Sequence, residues 1–529
     1  MARESRVALV ALTLTVLLLA PGLQAQAPFS CTASATSIAV RAEGLAELVG
    51  DYVLTCTGGT SGQPLAMAVQ IFANTNITSR ILSPPDGVEA LLLIDGPPYG
   101  PANVVTGKLV ATGNSVIFSP VNITQPGSET RTLRIVNVRV NAAQLPLASA
   151  VNLSVTATTG TGAIPITNPT QQVAVTQTGL SVQVRKTDDS AAYVPSLLTC
   201  SGHNTTLLTG GDYPAPPAPG GRTINIKFIE GFANAFRPLA GEHGAQIPTL
   251  PSPYDRAGRA DHGTRLRVVF SNVPAGVEIF VTTREVPQGT TAGAEARCTT
   301  TPAGGFAACT PASPADGGLY RVPIGAAGSR EAYWEITASS GGAVETISFG
   351  VAVAFNPTPP AGTVNVLGSF SPISTQGNAT PGPDDLPRFV SVLSPTPAFV
   401  LESCRTVLLF QFLTSIPGWD TGIAVSNTTL DSPLFNTTGQ SGRCTAYFYQ
   451  PGVTVPPLVS DVIPPGGQWL WTLHSVRPNF QGYMLVSCDF QHAYGFAFIS
   501  NLGFSGPDRF AQAYQAIVLD SRTRMPVPY

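Results

Sequence analysis

Between Cys404 and Leu502 the sequence is divided into short apolar or alternating runs: TVLLFQFL, WDTGIAVSNTT, GRCTAYFYQ, QWLWTLHSV and GYMLVSCDFQHAYGFAFIS. Gly, Pro, Asn or Asp bounds each one. Runs of this length closed by turn formers mark β-strands, whose successive side chains point to opposite faces. The composition argues against helices. Charged residues are 11% of the chain, against a usual ~25%, so the Glu, Lys and Arg of exposed helix faces are missing. The chain has 52 Gly and 48 Pro to make turns, and a hydrophobic content of 43% to fill cores. The expected fold is all-β: tandem β-sandwich modules, immunoglobulin-like or related, with Pro/Gly-rich loops and a linker.

Residues 1–27 read as a secretory signal peptide. Arg3 and Arg6 precede an apolar run over 7–20, and Ala25 and Ala27 supply the small residues of a cleavage site. No later stretch is apolar for the ~20 residues a membrane helix needs. Export and an extracellular or cell-surface location are therefore expected. Residues 28–177 form a first module of many short runs, in which TLRIVNVRV alternates cleanly. Residues 178–355 form a second, opening with LSVQVRKT and TINIKFIEGF. Within it, 236–262 is long and lacks periodicity, the mark of an exposed functional loop or a poorly ordered one. Pro-rich 356–400 reads as a linker or wrapping segment, in which VNVLGSF and FVSVL could be edge strands of either neighbour. A third module spans 401–520 and a tail 521–529.

Eight cysteines in an exported chain fit four disulfides. Spacing favours Cys31–Cys56, Cys298–Cys309 and Cys444–Cys488. Cys200 and Cys404 remain, either paired across modules or free. No CxxC or HxxxH spacing points to metal, and no metal or cofactor is expected.

Residues that carry chemistry are scattered. The five histidines are His203, His243, His262, His474 and His492. His243 and His262 share the long loop with Glu242, Asp255 and Asp261, where solvated polar residues are the plain expectation. His474 and His492 sit near strand ends of the third module with Asp420 and Asp489, in structural hydrogen bonds. No GxSxG elbow, HExxH, P-loop or dinucleotide fingerprint occurs. Glu43, Glu47, Asp51 and Asp95 read as surface and turn residues. With only three lysines, Lys108, Lys186 and Lys227, and a net charge of −3, there is no basic footprint for nucleic acid. Trp469 and Trp471 fall on one side of a strand; with Trp419 they are candidate glycan contacts, weighed against core packing. Seven N-x-Ser/Thr sequons occur, at Asn76, Asn122, Asn152, Asn204, Asn378, Asn427 and Asn436.

The segments VRAEGLAELVGDYVLTCTGG (40–59), INIKFIEGFANAFR (224–237), WDTGIAVSNTTLD (419–431) and FQGYMLVSCDFQHAYGFAFISNLG (480–503) resemble blocks that recur together in large multi-module exported proteins of environmental bacteria. Trp419 stands where that pattern usually has Phe. The resemblance implies secretion and modular organisation, and brings no catalytic residues, because no activity is assigned to those proteins. The expected role is a non-enzymatic structural or adhesive protein, a subunit of an extracellular layer or filament. Its partners would be other copies of itself, cell-surface components or glycans. A carbohydrate-binding module array and a secreted hydrolase are the alternatives.

Overall fold

The computed structural model describes residues 27–519 apart from 200–201, 210–220, 287–292, 311–317, 326–327, 358, 381–384, 432–433, 435–438 and 502–509. Residues 1–26 of the expected signal peptide, the 521–529 tail and Cys200 lie outside the described residues. No described helix is long and apolar enough to cross a membrane. The protein is all-β: helical pieces such as Leu239–Glu242 and Leu473–Val476 are single turns.

Thirteen strands between residues 30 and 177 form one continuous sheet. Its hydrogen-bonded path runs from Ile166–Thr167 and Ser30–Ala35, through Gly87–Ile94 and Ser115–Thr124, to Thr170–Gln177 and Ile38–Arg41. Strands from both ends of this path bury residues in the same core, among them Cys31, Leu54, Phe118, Leu153 and Val173. The sheet therefore wraps round on itself. Alternation drives it: in Tyr52–Gly58 the side chains of Tyr52, Leu54 and Cys56 are buried while Thr55 and Thr57 are exposed. Each buried side chain of Leu54's size stabilises the fold by roughly 1.5–3 kcal/mol.

One strand breaks the alternation. Gly87–Ile94 is buried at all of its positions. Val88, Ala90, Leu92 and Ile94 face the module's core. Leu91 and Leu93 face the other way, onto Ile247, Leu250 and Ala257. The aperiodic 236–262 stretch is thus not wholly exposed: Phe236, Glu242, Ile247, Leu250, Ala257 and His262 are buried. It lies as a cover on the first module's sheet. Periodicity could not reveal this, because its apolar residues match a surface more than a hundred residues earlier in the chain.

The second core lies between a five-stranded and a six-stranded sheet. The five-stranded sheet contains Leu180–Arg185, Ile224–Glu230 and Thr346–Phe355. The six-stranded sheet contains Arg265–Ser271, Arg330–Ala338, Gly362–Ser371 and Thr396–Glu402. The expected 356–400 linker supplies Gly362–Ser371 and the first part of Thr396–Glu402, and the VNVLGSF run is not an edge strand. Gly362–Ser371 is an interior strand, paired with Arg265–Ser271 on one side and Thr396–Glu402 on the other. Its sequence, GTVNVLGSFS, contains no Pro. Pro397 falls beside a register shift, where a missing N–H is tolerated. Among the described residues between these strands, Leu386 and Phe389 have no exposed surface.

The third core is enclosed by a sheet built on Thr406–Thr414, Cys444–Gln450 and Gln481–Cys488 and by another built on Asp420–Asn427, Gln468–Thr472, Ala493–Ser500 and Ala511–Gln515. Cys31–Cys56 and Cys444–Cys488 each join residues directly opposite on antiparallel strands. Cys298–Cys309 closes a short loop. Cys404 is also disulfide-bonded. Replacing both Cys444 and Cys488 with Ala is expected to destabilise the third module by about 3 kcal/mol, since the crosslink limits the unfolded chain. Urea unfolding reads this as a shift of one transition; a loss below about 1 kcal/mol would refute it.

Candidate functional site

Two regions stand out: a buried charged seam between the first and second modules, and the outer faces of the third.

The seam holds Arg41, Arg139 and Arg237 against Glu47, Glu89 and Glu242, all at most 5% exposed. The charges balance. Arg41 ends the strand Ile38–Arg41, and its guanidinium is saturated. Its Nε donates to Glu47 Oε1 at 2.8 Å. Its Nη1 donates to Glu242 Oε1 and Thr264 Oγ1, each at 2.8 Å, and to the Ala235 carbonyl at 3.2 Å. Its face lies 4.7 Å from the Phe389 ring centroid and 5.6 Å from that of Phe370, a favourable place for a cation. The two-residue strand Glu47–Leu48 pairs with Arg139–Val140. Arg139 then reaches Glu89 at 3.2 Å and donates to the Glu242 carbonyl at 2.9 Å. Glu89, in the doubly buried strand, also accepts from the Arg80 and Gly258 amides. Asn137 fixes the cover by pairing both ways with the backbone of Ala245, at 2.7 and 2.8 Å. Gly258 has φ +74°, and a side chain there would run into Asn137.

Glu43 and Glu47, expected at the surface, are therefore buried. Glu43 accepts from the Gly179 amide, and burial pushes its carboxyl above the usual range. The quoted segments 40–59 and 224–237 meet here. Sequence alone misses the seam because its members are distant: Arg41 and Glu242 are 201 positions apart.

Burial on its own would raise Glu242. Arg41 and Arg237 beside it, with hydrogen bonds from Arg41 and Thr264, outweigh this and hold it at about 2. For Arg41, burial works against the charge and is outweighed by Glu242 and Glu47. A depressed carboxyl contributes stability that is present above its unfolded value, about 4.5, and lost as pH falls toward about 2. The stability gap between the native protein and Glu242→Gln should stay constant above pH 5 and shrink between pH 4.5 and 2. A gap unchanged at pH 2.5 would contradict the assignment. The variant comparison is needed because His262 also titrates: buried, with Nδ1 against the Gly263 carbonyl, it is held below its ordinary value by burial.

Guanidiniums or backbone amides engage every carboxylate of the seam. Among the described residues no three His, Cys, Asp or Glu gather as a metal site. His243 Nδ1 accepts from the Ala260 amide, and Asp261 pairs with Arg80. In the third module Asp420 caps the His474 amide, and Asn427 donates to the Gln440 and Ile463 carbonyls. The Asn427 sequon is thus buried, its amide engaged.

Of the aromatic candidates, Trp469 and Trp471 point inward. They are half-buried against the third core, and Trp471 meets Phe448 edge to face at 5.9 Å. Trp419 is half-buried beside Phe510. The exposed aromatics are different residues. On one outer face Tyr447, Tyr449 and Tyr483 are 43%, 41% and 36% exposed, and on the other Leu470, Tyr494, Phe496 and Phe498 are exposed. The signal was present in TAYFYQ, where period two places Tyr447 and Tyr449 together. Tyr449 lies opposite Tyr483, and their rings stack at 4.8 Å. These tyrosines line a groove of about 570 Å³ with Gln450, Val453 and Thr454.

Fold and surfaces together define an all-β, disulfide-linked, multi-sandwich protein with aromatic outer faces. No known sequence family matches the chain, and no curated protein does. Solved structures with some likeness include the C-terminal domain of the Streptococcus agalactiae AgI/II polypeptide BspA, at 8% identity and TM-score 0.26, covering 65% of this chain and 95% of that one. The pilus backbone RrgB of Streptococcus pneumoniae is 7% identical with TM-score 0.18, over 93% and 94% of the two chains. The major pilin subunit BcpA of Bacillus cereus is 8% identical with TM-score 0.18, over 86% and 97%. Likeness at this level carries no argument about function.

Proposed function

We propose that this chain is a non-enzymatic, exported structural or adhesive protein of the cell surface. In this reading the first two modules act as one rigid base and the third makes contacts. The observation that carries it is the outer surface of the third sandwich. On one face the outward positions are Gly422, Ala424, Ser426, Gln468, Leu470, Thr472, Tyr494, Phe496 and Phe498, none of them charged. The groove on the opposite face has no charged lining either. Uncharged apolar patches of this kind mark interaction surfaces. Three disulfides suit an oxidising compartment.

Placement supports the same reading. The chain reaches the third sandwich at Thr406, which lies opposite Cys488. Tyr483 is five residues further along that strand, about 17 Å away at strand rise. The groove is therefore remote from the attachment end. Fractionation of the producing cells, with negative-stain microscopy, tests the proposal. The protein should be found in a surface layer, filament or wall fraction; recovery solely as a monomer in the medium would sink it.

A further inference from the structure

We infer that the groove of Tyr447, Tyr449 and Tyr483 is a binding site for an uncharged saccharide. This deepens the adhesive reading and rests on it for biological purpose. A sugar ring offers apolar C–H faces and a rim of hydroxyls, so its site needs flat rings and neutral hydrogen-bonding groups. The groove has both. Tyr449 and Tyr483 are fixed as a parallel stack, 12° apart in plane. The Tyr447, Tyr449 and Tyr483 phenols, the Gln450 amide and the Thr454 hydroxyl make no side-chain hydrogen bond to the described residues. A volume of about 570 Å³ lies within the size of ligand sites. With no Lys, Arg, Asp or Glu in the lining, no side-chain charge there pairs with a charged ligand.

Size argues against a second copy of the chain as occupant. Three tyrosines at these exposures present roughly 250 Å², taking ~200 Å² for an aromatic side chain. A stable protein contact needs about 800 Å² per partner. Addition of a peptide strand is also obstructed. The outer edge of Cys444–Gln450 is already paired by Val453–Thr454 at one end and Leu458–Val459 at the other.

The test is calorimetric titration of the mature chain with cellohexaose, xylohexaose, mannohexaose and chitohexaose, with heparin and a proline-rich decapeptide as controls. At least one neutral hexaose should bind, and heparin should not. Tyr449→Ala and Tyr483→Ala should each weaken that binding tenfold or more. Gln450→Ala, which leaves the ring stack in place, should weaken it two- to fivefold. Tyr494→Ala, on the opposite face, should leave it unchanged. Thermal melting checks that each variant is folded; if a Tyr→Ala variant fails to fold, Gln450→Ala decides. No binding of any hexaose, binding indifferent to the groove variants, or preference for the peptide overturns the inference. So does self-association that Tyr483→Ala abolishes. A wall-attached protein that binds no hexaose would refute this site and leave the adhesive reading standing.

Discussion

Replacing Arg41 with Met is expected to destabilise the joined first and second modules by about 3–5 kcal/mol, the usual cost of removing one partner from a buried ionic cluster. The loss is not that of one ion pair. Without the guanidinium, Arg237 is the one cation left within 4 Å of buried Glu47 and Glu242, at 3.5 and 3.8 Å, beside the Thr264 hydroxyl on Glu242 and the residue-41 amide on Glu47. Thr264 and the Ala235 carbonyl lose their cation, and Phe370 and Phe389 lose what their rings cover. Taking an ion out of water costs several kcal/mol, and only a fully partnered cluster offsets this. Arg41→Met combined with Glu47→Leu leaves Arg139 and Arg237 balanced by Glu89 and Glu242, and should therefore recover much of the loss. Urea unfolding measures the energies, and trypsin cutting at Arg256 or Arg259 reports lifting of the cover. A loss below 1 kcal/mol in the single variant would mean that the seam is far wetter than the structure has it.

Trp334→Ala should cost a similar 3–5 kcal/mol, for a different reason. Trp334 has no exposed surface and stacks on Phe349 at 4.0 Å. Its Nε1 donates to the Thr282 carbonyl at 2.9 Å. It lies opposite Cys298 in the ladder, beside the Cys298–Cys309 bridge. Truncation removes the ring, leaves a cavity and strands a buried carbonyl. Trp334→Phe should cost clearly less, since it keeps most of the stack. Equal losses for the two would show that packing volume does not decide stability here.

The sequence disclosed what depends on local pattern. Alternation in segments such as YVLTCTG placed strands, and spacing singled out the three bridges that join Cys31, Cys298 and Cys444 to their partners. In TLRIVNVRV the alternation fails: the strand ends at Val136, Asn137 takes a positive φ, and Val138 and Val140 join Leu133 and Ile135 in one core. It concealed what depends on distant surfaces. Glu47 and Glu242 look like ordinary surface acids until a second module buries them. Proline content made 356–400 look like a spacer, although its GTVNVLGSFS core is free of proline and alternates. Trp469 and Trp471 carry the larger rings, yet Val425 and Ile423, opposite them, are core residues. The tyrosines of TAYFYQ took the outward side instead.

The third sandwich has one further consequence. Val407 lies opposite Leu519 on antiparallel strands, so the polypeptide comes in and goes out at the same end. Tension along the backbone would peel apart that one strand pair, bond by bond, without stretching the rest. The domain hangs beside the line of force as a pendant. Whatever its tip holds stays out of the line of force until the short 517–519 strand gives way and the load passes to Ala511–Gln515.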